Sequence, residues 1–152
     1  MREQKYRHAI FAIIYTIVKN KPQYLLLKRK LHWKGWEISK GGKRIYETDK
    51  MTLKRELKEE TGLKIKKIAK KFRIDEKYKY DKKYSDRKGF VGQKYKTLFL
   101  VEVEKGKINL DNIEHSGSDW FEFSEAVKKL KWSNQRKLMN IFRGSLGDYN
   151  IL

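Results

Sequence analysis

Apolar residues run along this chain in short blocks, and the spacing within each block separates strands from helices. His8 to Val18 (HAIFAIIYTIV) is rich in Ile, Phe, Tyr and Thr and predicts a strand. Asn20-Lys21-Pro22 then predicts a turn, and Gln23 to Lys28 (QYLLLK) its returning partner. A tryptophan-bearing loop, Leu31 to Ile38, leads to the pair Gly41-Gly42. Thr48 to Thr61 changes to helical composition, with Gly62 placed as its C-terminal cap. Lys64 to Tyr80 predicts one or two strands, the first near Ile65 to Ile74, and Asp81 to Gly92 a polar loop. Lys94 to Glu104 (KYKTLFLVEVE) is the clearest strand of the second half. Trp120 to Phe123 predicts a short strand, and Ser124 the N-cap of a helix over EAVKKL. Ser133 predicts the cap of a last helix that runs through Phe142 and stops at Gly144. Strands mixed with helices make the class α+β or α/β with a mixed sheet.

Composition narrows this modestly. The 152 residues make one domain of ordinary size, and 39% hydrophobic residues with 20 aromatics argue for a packed core. The absence of cysteine excludes a disulfide framework and a cysteine-based zinc site. The longest apolar run, residues 9 to 18, is too short to span a bilayer and lacks the placement of a signal peptide. A soluble cytoplasmic protein with no membrane role is the expectation.

Charge changes the picture more. With 38 basic against 19 acidic residues the chain carries +19, a field that favours nucleotides, RNA or DNA as partners. A lysine-rich bias with no partner produces the same sum. The excess is uneven: residues 64 to 96 hold 14 Lys or Arg and 4 Asp or Glu, so this fifth of the chain carries +10 of the +19. Phe72, Tyr78, Tyr80, Tyr84, Phe90 and Tyr95 are interleaved with that charge. Basic groups meet phosphates while aromatic faces stack on bases, although the same aromatics also suit the buried face of a strand.

Against this background, Gly41 to Leu63 (GGKRIYETDKMTLKRELKEETGL) concentrates acid: Glu47, Asp49, Glu56, Glu59 and Glu60. On a helix Glu56, Glu59 and Glu60 stand at i, i+3 and i+4 and share one face. Three carboxylates on one patch repel unless a cation bridges them. Oxygen-only ligation suits Mg²⁺, or Mn²⁺, rather than zinc, and such an ion also accepts phosphate oxygens from a substrate. Pairing with Lys54 and Lys58 on a solvated helix is the alternative.

The spacing resolves that choice by resemblance. From Gly41 five residues precede Glu47 and seven more precede Arg55; then come Glu56, Leu57, Glu59, Glu60, Gly62 and Leu63 at their set intervals. This resembles the Nudix box at all nine of its specified positions, a specific signal over 23 residues. The resemblance implies an α/β/α sandwich with a mixed sheet in a single domain, the box forming loop, helix and loop. It implies that Gly41 permits the tight loop beside the metal site and that Leu57 and Leu63 anchor the unit. Arg55 would position the carboxylates, Glu56, Glu59 and Glu60 would hold divalent ions, and Glu47 would be a supporting carboxylate.

Resemblance extends beyond the box. Trp36-Glu37-Ile38-Ser39-Lys40-Gly41-Gly42 is similar to the approach in dinucleoside polyphosphate hydrolases, with Ser39 in place of proline, a change expected to loosen the loop. Gly92-Gln93-Lys94-Tyr95-Lys96 resembles a segment of those enzymes and of RNA 5′-pyrophosphohydrolases. Lys94 and Lys96 alternate there, which predicts one shared face toward polyphosphate. Glu114, six residues before Trp120, resembles an additional metal ligand or catalytic base of that branch, whereas His115 reads as an exposed loop residue. Trp33, Tyr84 and Tyr95 are the candidate base-stacking rings, with Lys40 and Gln93 beside the phosphates.

The expected activity is therefore Mg²⁺-dependent hydrolysis of a nucleoside polyphosphate, foremost a dinucleoside polyphosphate such as diadenosine tetraphosphate. A 5′-triphosphate RNA is the second substrate reading, and a nucleic-acid-binding module with an inactive box is the reading from another class. Glu56, Glu60 and Glu114 all remain open as the base. Neither monomer nor dimer is implied.

Overall fold

The computed structural model describes residues 5–31, 33–81, 89–110 and 113–146, the side chains of 142 and 144–146 excepted. Seven strands and three helices follow in the order β1 (Lys5–Val18), β2 (Lys21–Arg29), β3 (Gly35–Glu37), β4 (Ser39–Gly42), α1 (Asp49–Thr61), β5 (Ile65–Lys79), β6 (Phe90–Val103), β7 (His115–Phe121), α2 (Phe123–Lys129) and α3 (Ser133–Leu146). They form one mixed sheet in the order β3-β2-β1-β6-β5, with β4 paired to β1 and β7 to β2. β1 and β6 run parallel, and the other pairs are antiparallel.

β1 owes its unbroken apolar run to burial on both faces. Phe11, Ile13 and Tyr15 pack with Ala126, Leu130, Leu138 and Met139 of the α2–α3 layer. Ile10, Ala12 and Ile14 pack with Leu53 and Leu57 of α1 on the opposite face. Strand side chains alternate, so a strand between two helical layers must be apolar at every position. Leu57 and Leu63 lie in the α1-side cluster, as the box pattern implies. This is the expected α/β/α sandwich with a mixed sheet.

Helix α1 has defined ends. Thr48 accepts a hydrogen bond from the Met51 amide at 3.2 Å, and Gly62 closes the helix in the left-handed region at φ 73°. That conformation costs a side chain energy and costs glycine none. Together the caps fix where the glutamate-bearing turns begin and end.

Several boundaries differ from expectation. The first turn is the two-residue pair Lys19-Asn20, both at positive φ, and Pro22 already lies in β2 opposite Ile17. Such mirror-image turns match strand twist, so the hairpin is shorter than the proline suggested. Lys64 to Tyr80 holds a single strand that runs past Ile74 to Lys79, and its partner β6 begins at Phe90, within the expected polar loop. Glu122, not Ser124, occupies the N-cap of α2, and α3 continues past Gly144 to Leu146. Among the described residues no helix is long and apolar enough to cross a membrane.

Candidate active site

β4 pairs along β1 with Gly41 opposite Ile10, and α1 crosses behind it. A cleft of about 460 Å³ opens there, bordered by Lys40, Gly41 and Gly42 of β4, by Glu56, Glu59 and Glu60 of α1, and by Glu114 ahead of β7. A methyl group on Gly41 would lie 2.2 Å from Cγ of Glu56, so only glycine lets that carboxylate reach the cleft floor.

Arg55 organises the acidic side. Its Nε and Nη2 donate to the two oxygens of Glu47 at 2.6 and 2.8 Å, and Nη2 also donates to the Gly42 carbonyl at 2.8 Å. Nη1 reaches Glu56 at 2.8 Å and Glu59 at 3.4 Å. The bidentate Arg55 bond, with amide and hydroxyl donors from Arg44 and Thr52, holds the Glu47 carboxyl down at about 2. Glu47 is therefore occupied as a support and has no oxygen to spare for the cleft. Bidentate geometry of this kind sets orientation as well as charge.

Glu56 and Glu60 behave differently. Burial pushes both carboxyls up, and for Glu60 the neighbouring Glu56 charge pushes further. Glu60 is buried and accepts a 2.8 Å hydrogen bond from the Ser39 hydroxyl. Ser39 is not a loosening substitution: it is buried in β4, opposite Ala12, and braces Glu60. Among the described residues no three acidic or histidine side chains are gathered closely enough to grip an ion as they stand, since Arg55 draws Glu56 and Glu59 to itself. The donor set nevertheless fits a hard divalent cation. It is oxygen-only, and two of its carboxylates carry a desolvation cost that a cation would relieve.

The cleft is also cationic and aromatic. Arg7, Arg29 and Lys40 line it with Trp33, Tyr78 and Tyr80. The Lys40 ammonium sits 5.9 Å from the Trp33 ring and 5.8 Å from that of Tyr78. Gln93 also lines the cleft and accepts hydrogen bonds from the hydroxyls of Tyr78 and Tyr95. Tyr95 itself is a core residue: it stacks on Phe11 at 4.0 Å and backs Tyr78 at 6.1 Å. It supports the aromatic wall from beneath.

Other expected residues fall elsewhere. The β1–β6 register jumps from Ala9–Tyr95 to Ile10–Thr97, leaving Lys96 as an extra residue that breaks the alternation with Lys94. Lys96 pairs with Asp75 at 3.3 Å and lines a separate groove with Lys71 and Arg73. Lys94, whose strand partners are His8 and Lys77, does not line the cleft either. Tyr84 lies outside the described residues. His115 is not an exposed loop residue but a buried one at the start of β7, with Nε2 2.8 Å from Glu37. Arg7, Arg29 and Glu37 were not singled out from the sequence. Only Glu37 left a signal there, as a charged residue between Trp36 and Ile38.

The NUDIX domain family model matches residues 6–141, nearly the whole chain. The chain belongs to the Nudix family. It is an enzyme of that family, a hydrolase acting on phosphoanhydride bonds, and Nudix hydrolases generally use divalent metal ions. No curated protein matches it by sequence. Among solved structures it is similar to a C. elegans Ap4A hydrolase in a binary complex, at 22% identity and a TM-score of 0.68, over 92% of this chain and 97% of that one. It is also similar to the E. coli dihydroneopterin triphosphate pyrophosphohydrolase, at 18% identity and a TM-score of 0.66, over 91% and 97% of the two chains. The NUDIX domain of Shewanella oneidensis NrtR, complexed with ADP ribose, matches at 14% identity and a TM-score of 0.69, over 95% and 90%. At these identities the likeness establishes the Nudix fold.

Proposed function

We propose that this Nudix enzyme is an Mg²⁺-dependent pyrophosphohydrolase whose foremost substrate is a dinucleoside polyphosphate such as diadenosine tetraphosphate. The observation that carries this reading is the lining of the cleft. Carboxylates Glu56, Glu59 and Glu60 line it together with the cations Arg7, Arg29 and Lys40 and the rings of Trp33 and Tyr78. A polyphosphate needs its charge neutralised, and nucleosides need aromatic faces beside the phosphate run. The Ap4A hydrolase likeness is in keeping with this substrate class.

Glu56, Glu59 and Glu60 would hold the divalent ion, with Gly41 beside them and Glu114 in the same cleft. When bound, such an ion lowers the pKa of a coordinated water and neutralises charge on the phosphates. Arg55 holds Glu56 and Glu59 beside the cleft, from where they would turn toward a metal ion, and Ser39 holds Glu60. One of Glu56, Glu60 and Glu114 accepts the proton of the attacking water. Lys40 meets phosphate charge directly, with Gln93 and Tyr78 beside it.

A second reading, removal of pyrophosphate from 5′-triphosphate RNA, is favoured by one observation. Tyr78 and Lys79, the last residues of the lysine-rich strand β5, line the cleft, so the most basic strand ends at the reaction centre. Successive RNA phosphates would find cations along it. The test is incubation with Mg²⁺ and each substrate in turn, with Glu59→Gln and Glu60→Gln as controls. Conversion of diadenosine tetraphosphate to ATP and AMP, abolished in both variants, supports the leading reading. Preferential release of phosphate or pyrophosphate from RNA replaces it with the second. RNA binding without metal-dependent turnover of either would point to a binding module with an inactive box.

A further inference from the structure

Glu37 belongs to no part of the Nudix box, yet it is a buried acid whose ion-pair partners line the cleft. Its side chain is 1% exposed on β3. A carboxylate in the interior is costly unless opposite charge and hydrogen bonds compensate it. Here the compensation comes from three groups. His115 Nε2 stands 2.8 Å from Oε2, Arg29 Nη1 stands 3.5 Å from the same oxygen, and Lys40 Nζ stands 3.5 Å from Oε1. Against the opposing effect of burial, the His115 hydrogen bond and the Lys40 and Arg29 charges hold this carboxyl below its ordinary range.

Every one of those partners leads to the cleft. Arg29 and Lys40 line it, and His115 follows Glu114, which lines it too. Arg29 Nη1 also reaches Glu114 Oε2 at 3.5 Å, so one guanidinium spans the buried acid and the cleft acid. A purely structural pair completes its hydrogen bonds in the interior. Glu37 Oε1 and His115 Nδ1 have none, and the open oxygen is the one facing Lys40.

We propose that Glu37 is a positioning residue, whose buried carboxylate sets Lys40 and Arg29 in the geometry that receives substrate phosphate and, through Arg29, fixes Glu114. This rests on reading the cleft as a polyphosphate site. It carries a sign that a bystander charge does not share. A carboxylate beside a polyanion repels it, so removing an idle one tightens binding. Removing one that holds two cations in place weakens binding, because each long side chain must then be ordered by the ligand itself.

The experiment measures binding of inorganic tripolyphosphate by calorimetry, in chelator, so that no divalent ion contributes. Wild type, Glu37→Gln, Lys40→Met and the double variant are compared, with thermal midpoints as a check on folding. Glu37→Gln is expected to weaken affinity by about tenfold, and by less once Lys40 is gone, when only Arg29 is left for it to position, as coupled residues do. Glu37→Asp keeps the charge but loses the reach to Lys40, and the same direction of change is expected. Tighter or unchanged binding in Glu37→Gln, additive effects in the double variant, or no wild-type binding would each overturn the proposal. Should tripolyphosphate behave as expected while no dinucleoside polyphosphate is turned over, the substrate reading falls and the role of Glu37 stands.

Discussion

Glu60 is where stability and chemistry oppose each other most directly at the scale of a residue. Its carboxyl is buried, stands beside Glu56, and is raised well above the ordinary carboxylate range. A group raised on folding stabilises the folded state below its unfolded pKa, near 4.3 for glutamate, and that contribution is lost as pH rises through the folded pKa. In metal-free protein the charged form therefore costs stability at neutral pH. Glu60→Gln removes the charge and keeps the Ser39 hydroxyl within reach, so its thermal midpoint at pH 7 in chelator should rise by a few degrees, corresponding to about 1 kcal/mol. Wild type should lose midpoint from pH 4 to 7 more steeply than the variant. Added Mg²⁺ should raise the wild-type midpoint and leave Glu60→Gln nearly unmoved, while the variant no longer hydrolyses substrate. A lower midpoint for Glu60→Gln in chelator would mean that the buried acid is already neutralised within the protein.

At the scale of elements, the β4–α1 unit was the most legible part of the chain. The helix-spaced glutamates, the Thr48 and Gly62 ends and the apolar Leu57 and Leu63 all follow from local chemistry, and all are found where their spacing places them. Gly41 makes the point testable. A Cβ there would meet Glu56 Cγ at 2.2 Å and Cδ at 2.4 Å, the far part of a side chain that can swing aside. Gly41→Ala should then fold with a midpoint within a few degrees of wild type, yet lose on the order of 10²-fold in kcat, since small misplacements of catalytic groups cost that much. Unchanged kcat would show that Glu56 needs no such approach. What was not legible depended on long-range register. The bulge at Lys96 arises from β1–β6 pairing, and local alternation has no means of announcing it. His115 looked exposed because its partner, Glu37, lies 78 residues away in sequence. Ser39 looked like a missing proline for the same reason: its role is a bond to Glu60 on another element.

The charge of the whole molecule remains to be divided between fold and function. β5 is the edge of the sheet, a 15-residue strand whose pairing with β6 shifts register three times. Long exposed edges invite pairing with other chains, and lysines with bulges are the usual defence. Some of the strand's cations are already spoken for: Lys66 and Lys67 meet Glu102, and Lys71 meets Asp49. Lys77 stands 4.8 Å from the Tyr6 ring, near the end that lines the cleft. Edge protection and polyanion binding make different demands on such residues. If RNA runs along β5, Lys77→Gln and Lys79→Gln together should flatten the dependence of log affinity on log salt for a short 5′-triphosphate RNA, by about 0.7 for each phosphate that is no longer neutralised. The KM for a dinucleoside polyphosphate should change less than the RNA affinity, because in the proposed site its phosphates would be met mainly by Arg7, Arg29 and Lys40. If the lysines guard the edge alone, the salt slope stays as it is and the double variant becomes more prone to aggregate. The two outcomes separate a charge that recruits a partner from one that repels copies of the same chain, and only the first would give the net +19 a role in substrate choice.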